Sequence, residues 1–370
     1  MKDNQTRTVT LNEAKRYIKH HFYQQTPVFI WGQPGIGKSD LIYRIASELK
    51  NTYVVDVRLP LWEPTDIKGI PFFNSNTGEM EWAKPSELPS EEFAKDYDTV
   101  ILFLDELNGA APSVQAAAYQ LILNRRVGQY VLPKNVVIAA AGNRESDKGV
   151  TYRMPKPLAN RFLHYDIRVD FDSWQTWALE NNIHPDIIGY LTFSKKDLNS
   201  FDPSSSDRSF ATPRSWSFVS KLLSESEMFN DDEITDMVSA AVGEGIALQF
   251  KAHRVVSSTL PDPSLILEGK ITNLKTVEIS AMYSLATSLS YELKVAHDLI
   301  NDSIEARSQE AFDKKLSNML SFSMNNFEPE MAVMIVRVLA TTYKMKLNLR
   351  KSTVGKEFLD KYGDLVLAAA

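Results

Sequence analysis

The chain has 370 residues, of which 44% are hydrophobic, so it can form about two or three domains around a sizeable core. It contains no cysteine, which excludes disulfides, thiol chemistry and cysteine-ligated metals and fits a reducing compartment. The net charge of −6 argues against a protein built to coat nucleic acid or acidic membranes, although a local basic groove stays open.

The N-terminal residues are polar and lack the apolar core of a signal peptide. The apolar runs of the chain are far shorter than the roughly 18 residues of a membrane span. We therefore expect a soluble, cytoplasmic protein with no membrane insertion. The first predicted element is a helix that runs to about Gln24, because Thr10 and Glu13 form a capping-box pattern ahead of apolar residues at helical spacing.

Five short apolar segments predict strands that alternate with helices. Continuous apolar runs are typical of strands buried on both faces, and the alternation predicts a parallel five-stranded sheet in a three-layer α/β domain. The predicted strands are Pro27–Trp31, Tyr53–Val57, Val100–Leu104, Val136–Ala141 and Leu163–Val169. A glycine-containing turn between aromatic segments predicts a hairpin insertion near residues 71–83.

After about residue 169 the pattern becomes helical. Thr212 and Pro213 mark a helix start, with proline at the first helical position. We predict an α/β core at residues 1–169, an α-helical lid at 170–255 and an α-helical C-terminal extension at 256–370. The extension serves assembly or partner binding, or it is a stabilising helical cap, and the sequence leaves both open.

The residues after the first predicted strand match a phosphate-binding loop. The run GQPGIGKS fits the pattern G-x-x-x-x-G-K-[ST], with a strand before it and a helix after it. Glycines let the backbone curl so that several N–H groups face one anion, and the helix adds its positive N-terminal end. The lysine reaches the β- and γ-phosphates of ATP, and the serine hydroxyl binds Mg²⁺. The predicted nucleotide-binding residues of this segment are Gly32, Pro34, Gly35, Ile36, Gly37, Lys38, Ser39 and Asp40.

The third predicted strand ends in two acidic residues, Asp105 and Glu106. We expect Asp105 to hold Mg²⁺, usually through water, and Glu106 to accept a proton from the attacking water or to orient it. ATP and Mg²⁺ are thus the predicted cofactors, with Ser39 and Asp105 as metal-binding residues. The predicted reaction is hydrolysis of the β–γ phosphoanhydride.

Three further polar residues are ambiguous from the residues alone. Asn143 follows the fourth strand, where an amide can position a water against the γ-phosphate or can complete a turn. Arg161 and Arg214 can supply the positive charge from which phosphoryl transfer gains, or they can be solvated surface residues.

The order of these elements resembles the AAA+ superfamily and, within it, the MoxR-type ATPases, over roughly residues 10–255. Asn160 stands where the family often has aspartate, which is a mild departure. The similar segments are Leu61–Gly69 (LWEPTDIKG), Asp105–Leu121 (DELNGAAPSVQAAAYQL), the sensor 1 strand Ala140–Asn143, the finger box Leu158–Phe162 (LANRF) and the sensor 2 start Ala211–Arg214 (ATPR).

The resemblance implies roles for the ambiguous residues. Asn143 becomes sensor 1, Arg161 reaches into a neighbouring subunit's site, and Arg214 contacts the γ-phosphate of its own subunit from the lid. With Glu106, these three residues form the predicted catalytic set. The resemblance also implies a homo-oligomer, usually a hexameric ring, that remodels a protein substrate or complex, commonly with a von Willebrand factor A-type adaptor.

Two other functions stay open. The first is a nucleic-acid motor or loader with the same ATPase core, against which the net charge and the lack of a recognisable DNA-binding module argue. The basic C-terminal end is a solvated face or a nucleic-acid contact. The second is a slow nucleotide-dependent switch, against which Glu106 and Asn143 argue. The basic residues are Lys344, Lys346, Arg350, Lys351, Lys356 and Lys361.

Overall fold

The computed structural model describes residues 7–83, 85–149, 151–257, 259–274, 278–301 and 306–367. The chain divides into two compact units. The first unit runs up to Asp170 and includes Phe201–Ser205, and the second holds Phe171–Ser200 and the residues from Ser206 onward. The predicted three-domain division, with boundaries after residues 169 and 255, stays a prediction.

A six-stranded sheet forms the centre of the first unit. Its strand order is β1-β10-β2-β9-β6-β3, and every neighbouring pair is parallel. The antiparallel pairs β4–β5 and β7–β8 lie outside this sheet. The strands are β1 (Thr8–Val9), β2 (Val28–Trp31), β3 (Thr52–Arg58), β4 (Ile70–Asn74), β5 (Glu79–Ala83), β6 (Thr99–Asp105), β7 (Arg126–Val127), β8 (Tyr130–Val131), β9 (Val136–Gly142) and β10 (Leu163–Ile167).

The predicted fold class, a three-layer P-loop α/β core followed by helices, is confirmed, but the predicted number of five strands is wrong. The sixth strand is β1, which consists only of Thr8 and Val9 and pairs with Asp166 and Ile167 of β10. Two residues are too few for a hydrophobic period to show, and this edge strand depends on its neighbour for pairing. The predicted hairpin insertion is present as β4–β5.

Helices cover both faces of the sheet. Alternate residues of a strand face opposite sides, so Ile101 and Phe103 of β6 belong to the core cluster under α1 and α2, whereas Leu102 and Leu104 belong to the cluster under α5. The predicted capping box of α1 is confirmed, because the Thr10 N–H donates to Glu13 Oε2 at 2.8 Å. The helices of this unit are α1 (Leu11–Tyr23), α2 (Lys38–Glu48), α3 (Pro64–Lys68), α4 (Glu91–Ala94), α5 (Pro112–Asn124) and α6 (Lys156–Ala159).

Apart from the connecting segments, the described residues of the second unit form helices and no strands. The predicted helix start at Pro213 is confirmed, with the Thr212 hydroxyl accepting the Ser215 N–H. Its helices are α7 (Phe171–Glu180), α8 (Pro185–Phe193), α9 (Pro213–Ser224), α10 (Asp231–Val242), α11 (Glu244–Ser257), α12 (Pro263–Leu267), α13 (Ile279–Asn301), α14 (Ala306–Asn326), α15 (Pro329–Arg337) and α16 (Thr353–Leu367). Among the described residues, no helix is both long and apolar enough to span a bilayer.

Candidate functional site

The phosphate-loop sequence forms the connection between β2 and α2. Gly35 and Gly37 adopt φ angles of 75° and 94°, which side chains with a Cβ rarely adopt. In the described chain no side chain caps α2 at Gly37, so the first backbone N–H groups of this helix lack that partner. A helix start of this kind is an anion-binding site, because its N–H groups and its dipole both favour negative charge.

The other predicted loop residues shape this turn. A Cβ on Gly32 would lie 2.4 Å from Ile36 Cδ1, so the buried Ile36 side chain fills the space that glycine leaves. Pro34 lies inside the loop, and Asp40 lies in the first turn of α2. The loop is therefore packed from within by one apolar side chain.

Lys38 joins the loop to the end of the neighbouring strand. Its ammonium donates to the carbonyls of Gly32 and Gln33 at 2.7 and 2.9 Å, and to Asn143 Oδ1 at 2.8 Å. Asn143 directly follows β9, which lies beside β2 in the sheet. The structure thus brings together two residues that the sequence analysis selected separately. These three bonds hold the ammonium beside the loop, where a bound anion would contact it.

Ser39 and Asp105 form the second contact across the site. The Ser39 hydroxyl donates to Asp105 Oδ2 at 2.9 Å, and Asp105 is buried at the end of β6. Within the described residues, no cluster of three or more His, Cys, Asp or Glu residues is present that could hold a metal by itself. A hydroxyl and a carboxylate side by side suit Mg²⁺, which takes few protein oxygens and fills its shell with phosphate and water.

Glu106 has an unusual backbone conformation. Its φ angle is 54°, in the left-handed region, which costs a non-glycine residue about 1–2 kcal/mol. The Asp105 carboxylate accepts the Glu106 N–H at 2.9 Å and so helps to hold this conformation. The side chain of Glu106 is exposed beside the buried Asp105. Strained residues of this kind cluster at functional sites.

Asn108 is a residue of the site that the sequence analysis passed over. It is 2% exposed, and its Nδ2 donates to the Asn143 carbonyl at 2.8 Å. Gly142 makes this approach possible, because a Cβ at that position would lie 2.1 Å from Asn108 Oδ1. One feature of the sequence could have indicated it. Asn108 is a polar residue three positions after Asp105, in a segment whose other residues are mostly small or apolar.

Arg144 was also missed, and it fixes the segment after β9 from the other side. Its Nη2 donates to the Ile167 carbonyl at 2.7 Å, and its Nε donates to Asp166 Oδ1 at 2.8 Å. The Arg144 N–H donates to Asp147 Oδ2 at 3.0 Å, which closes the following turn. The position of Asn143 is therefore fixed by the bond from Asn108 to its carbonyl and by the bonds of the next residue, Arg144, to β10.

The two predicted arginines are each exposed in their own unit. Arg161 follows α6 in the first unit, is exposed, and has no hydrogen-bond or ion-pair partner for its guanidinium among the described residues. Arg214 is the second residue of α9 in the second unit and is also exposed. The structure thus brings together the predicted residues of the loop and strand ends, while the Arg161 guanidinium forms no hydrogen bond or ion pair with them in the part of the chain that the structure describes.

Comparison with known proteins finds a family match within the first unit. Residues 27–162 match the family model of the AAA domain of the dynein-related subfamily. Midasin of Giardia intestinalis is 27% identical over 208 residues, and the match covers 51% of this chain. The match spans only 4% of the length of that protein.

Solved structures with a similar chain course include two bacterial proteins. NtrX from Brucella abortus has 13% identity and a TM-score of 0.38, with 96% of this chain and 69% of that chain covered. The RuvB Holliday junction branch migration motor of Thermotoga maritima has 19% identity and a TM-score of 0.34, with 75% and 79% covered. From the family match, residues 27–162 are therefore similar to an AAA domain.

Proposed function

We propose that this chain is an ATP hydrolase, a MoxR-like AAA+ protein that couples ATP binding and hydrolysis to the remodelling of a partner protein or complex, as a hexameric ring in the cytoplasm. The observation that carries the proposal is the pair of contacts Lys38–Asn143 and Ser39–Asp105. These contacts bring a phosphate loop against the carboxyl ends of the two adjacent strands β6 and β9.

The binding roles follow from the donors and acceptors in the site. We assign the β- and γ-phosphates to the loop N–H groups and to the Lys38 ammonium, which would exchange its carbonyl and amide partners for phosphate oxygens. Ser39 and Asp105 would hold Mg²⁺, which supplies charge neutralisation on the phosphates when bound. Binding thus replaces hydrogen bonds internal to the site with charge-assisted ones.

The hydrolytic roles are assigned to residues at the strand ends. Glu106 would take the proton of the attacking water, and its exposed carboxylate next to Asp105 supports that role. The Asn143 amide, fixed by Asn108, would orient the same water. Arg214 would contact the γ-phosphate as sensor 2.

The position of Arg161 supports a site that is completed between subunits. Its guanidinium is exposed and has no hydrogen-bond or ion-pair partner among the described residues. We assign it to the γ-phosphate in a neighbouring subunit, where a positive charge stabilises the transition state. ATP occupancy would then couple neighbouring subunits, and hydrolysis would release them.

The β4–β5 hairpin supports a protein as the remodelled partner. Ile70, Phe72, Phe73 and Met80 are all exposed on this insertion, which places a cluster of large apolar side chains in solvent. Exposed apolar patches mark protein interaction sites more often than chance. A von Willebrand factor A-type adaptor stays a prediction for the identity of that partner.

A subunit-mixing experiment tests the proposal. Arg161→Ala subunits keep their own hydrolytic residues but lack the arginine, and Glu106→Gln subunits keep the arginine but lack the base. Each variant alone should hydrolyse ATP slowly, and a mixture should recover activity because each Arg161→Ala site receives an arginine from its Glu106→Gln neighbour. Absence of recovery in mixed oligomers, verified by light scattering, would contradict the shared site.

A further inference from the structure

Two aromatic side chains connect the start of the phosphate loop to the turn that carries Arg161. Trp31 is the last residue of β2 and directly precedes Gly32. Its Nε1 donates to Nδ1 of His164 at 2.9 Å. The other ring nitrogen of His164, Nε2, lies 2.7 Å from the carbonyl oxygen of Ala159, two residues before Arg161.

The partners of His164 fix the hydrogen-bond role of each ring nitrogen. An indole N–H can only donate, and a carbonyl oxygen can only accept. His164 must therefore accept at Nδ1 and donate from Nε2. The site therefore needs a side chain that accepts at one end and donates at the other, and a plain aromatic ring can make neither bond.

The turn from Leu158 to Phe162 is held by further contacts. The Arg161 N–H donates to the Leu158 carbonyl at 3.0 Å, and the Phe162 N–H donates to the Ala159 carbonyl at 3.2 Å. Phe162 is buried and packs edge-on against Phe29 of β2, with the ring centroids 5.4 Å apart. The backbone of Arg161 is thus anchored while its side chain is exposed.

We propose that His164 is a positioning residue that fixes the Arg161 turn to the phosphate-loop strand through Trp31. The proposal rests on the proposed function, in which Arg161 acts in a neighbouring subunit's site. Trp31 adjoins the phosphate loop of its own subunit. The strand beside one subunit's nucleotide therefore also fixes the position of the Arg161 that enters the ATP site of the neighbouring subunit. The link therefore lies on the path between two adjacent ATP sites of a ring.

Variants of the full chain can cut the link at one end or at both. Trp31→Phe removes the indole donor and keeps an aromatic ring against Phe29, to which Trp31 packs with centroids 4.2 Å apart. His164→Gln keeps a donor that can reach the Ala159 carbonyl, whereas His164→Phe removes both bonds and keeps the ring. If one of these variants fails to fold, the others still test the link.

Tyr165→Phe is the matched control. Tyr165 is the next residue of β10, faces the opposite side of the sheet, and its hydroxyl lies 2.6 Å from Nε2 of His21. The control therefore removes one hydrogen bond to a histidine from the same strand without touching the Arg161 turn. We expect its hydrolysis rate to equal that of the wild type.

The test uses mixed oligomers of Arg161→Ala and Glu106→Gln subunits. Each substitution at Trp31 or His164 is added to only one of the two kinds of subunit. In the Glu106→Gln subunit, which donates the arginine, His164→Phe should lower kcat of the mixture by roughly three- to tenfold and leave the KM for ATP nearly unchanged. Trp31→Phe should lower kcat as well, and His164→Gln should lower it less than His164→Phe. In the Arg161→Ala subunit the same changes should have a smaller effect.

Two results would overturn the inference while the proposed function stands. In the first, the mixture of Arg161→Ala and Glu106→Gln subunits (the parent mixture) recovers activity, and adding His164→Phe to either subunit lowers that activity equally. The other is an active parent mixture in which neither His164→Phe nor Trp31→Phe lowers kcat. A parent mixture without recovery would instead contradict the shared site, and the inference would fall with it.

Discussion

Buried polar side chains of the two units illustrate two kinds of hydrogen bond. In the first unit, Asn108 bonds to Asn143, and Asp105 bonds to Ser39, so each bond joins elements that are distant in sequence. In the second unit, the buried hydroxyls of Ser290 and Ser323 donate to backbone carbonyls four residues earlier in the same helix. The first pattern fixes relative positions of separate elements, and the second satisfies a polar group locally.

This difference predicts separate consequences for substitution. Hydrogen bonds between elements hold the geometry on which a transition state depends, so changes there should lower hydrolysis. A local bond of this second kind does not fix one helix against another, and the helices here pack through an apolar cluster that contains Leu285, Leu289 and Met331. Changes in the second unit should therefore lower stability more than they lower the rate at which folded protein hydrolyses ATP.

The largest effect should come from Lys38→Ala. The substitution removes the ammonium that joins the loop to β9, and we expect kcat/KM for ATP to fall by roughly 10²-fold or more. Steady-state hydrolysis measures the loss, and circular dichroism checks that the variant is folded. Lys251→Ala is the matched control, because Lys251 forms an ion pair with Asp232 on the surface of the second unit. Equal hydrolysis rates for the two variants would contradict the assignment of Lys38 to the ATP-binding site.

Gly142→Ala should have the second largest effect. The new Cβ would lie 2.1 Å from Asn108 Oδ1 and 2.9 Å from the Phe29 ring, so Asn108 must move and with it its bond to Asn143. We expect kcat to fall by roughly tenfold and the unfolding free energy by about 1–3 kcal/mol. Steady-state ATP hydrolysis measures kcat, and denaturant unfolding measures the free energy of unfolding. An unchanged kcat would show that the position of Asn143 does not matter for hydrolysis.

Gly189→Ala applies the same change to the second unit. Its Cβ would lie 2.5 Å from the Ser284 Cα, where α8 and α13 approach closely. Separation of the two helices should lower the unfolding free energy by about 1–3 kcal/mol. We expect a smaller loss of kcat than for Gly142→Ala, measured at a temperature where the protein is folded.

Gly245→Ala is the control for both glycine substitutions. Beyond the adjacent residues and the backbone of its own helix, no atom lies within 4 Å of its new Cβ, and the residue lies in the first turn of α11. A gain of about 0.5–1 kcal/mol in unfolding free energy is expected, with no change in kcat. If Gly189→Ala lowered kcat as much as Gly142→Ala, the contrast between the units would not hold.

The smallest effect should be a pH dependence of the second unit. Burial lowers the pKa of His253 and of His184 below their ordinary value, although Asp186 opposes both shifts and Arg254 adds to the shift of His184. The unfolded chain therefore binds protons first as the pH falls below about 6.5, so the stability contribution is complete above that pH and is lost below it. The melting temperature should fall between about pH 6.5 and pH 5.

His253→Phe isolates this effect. His253 lies among Tyr190 and Phe250 and is 5% exposed, so a ring without a titratable group can occupy the same space. The variant should show a weaker fall of melting temperature over the same pH range. A slope identical to that of the wild type would assign the pH dependence to other groups.

Much of the site was predictable because its chemistry demands particular residues at fixed local spacing. Lys38 and Ser39 stand within one contiguous motif, and Asp105 ends an apolar run, so both halves were visible in the sequence. That the halves meet follows from parallel strands, whose carboxyl ends share one edge of the sheet. The fold class was predictable for the same reason, from the alternation of apolar runs and helices.

The residues that were missed have partners far away in the chain. Asn108, Arg144 and His164 matter through bonds to residues on other elements, and nothing beside them in the sequence signals those bonds. The strand Thr8–Val9 was missed for a related reason, since its pairing with β10 is its main feature. Sequence periodicity reports local burial, whereas these contacts depend on the register of strands that are distant in sequence.

The most direct test of the account is the ATP hydrolysis rate per chain over a wide range of protein concentration, with Glu106→Gln as the blank. A site completed by Arg161 of a neighbouring subunit predicts a rate per chain that rises with concentration and then levels off, and Arg161→Ala should flatten that curve. A rate above the blank that stays constant per chain, from protein shown by sedimentation to be monomeric, would contradict the shared site.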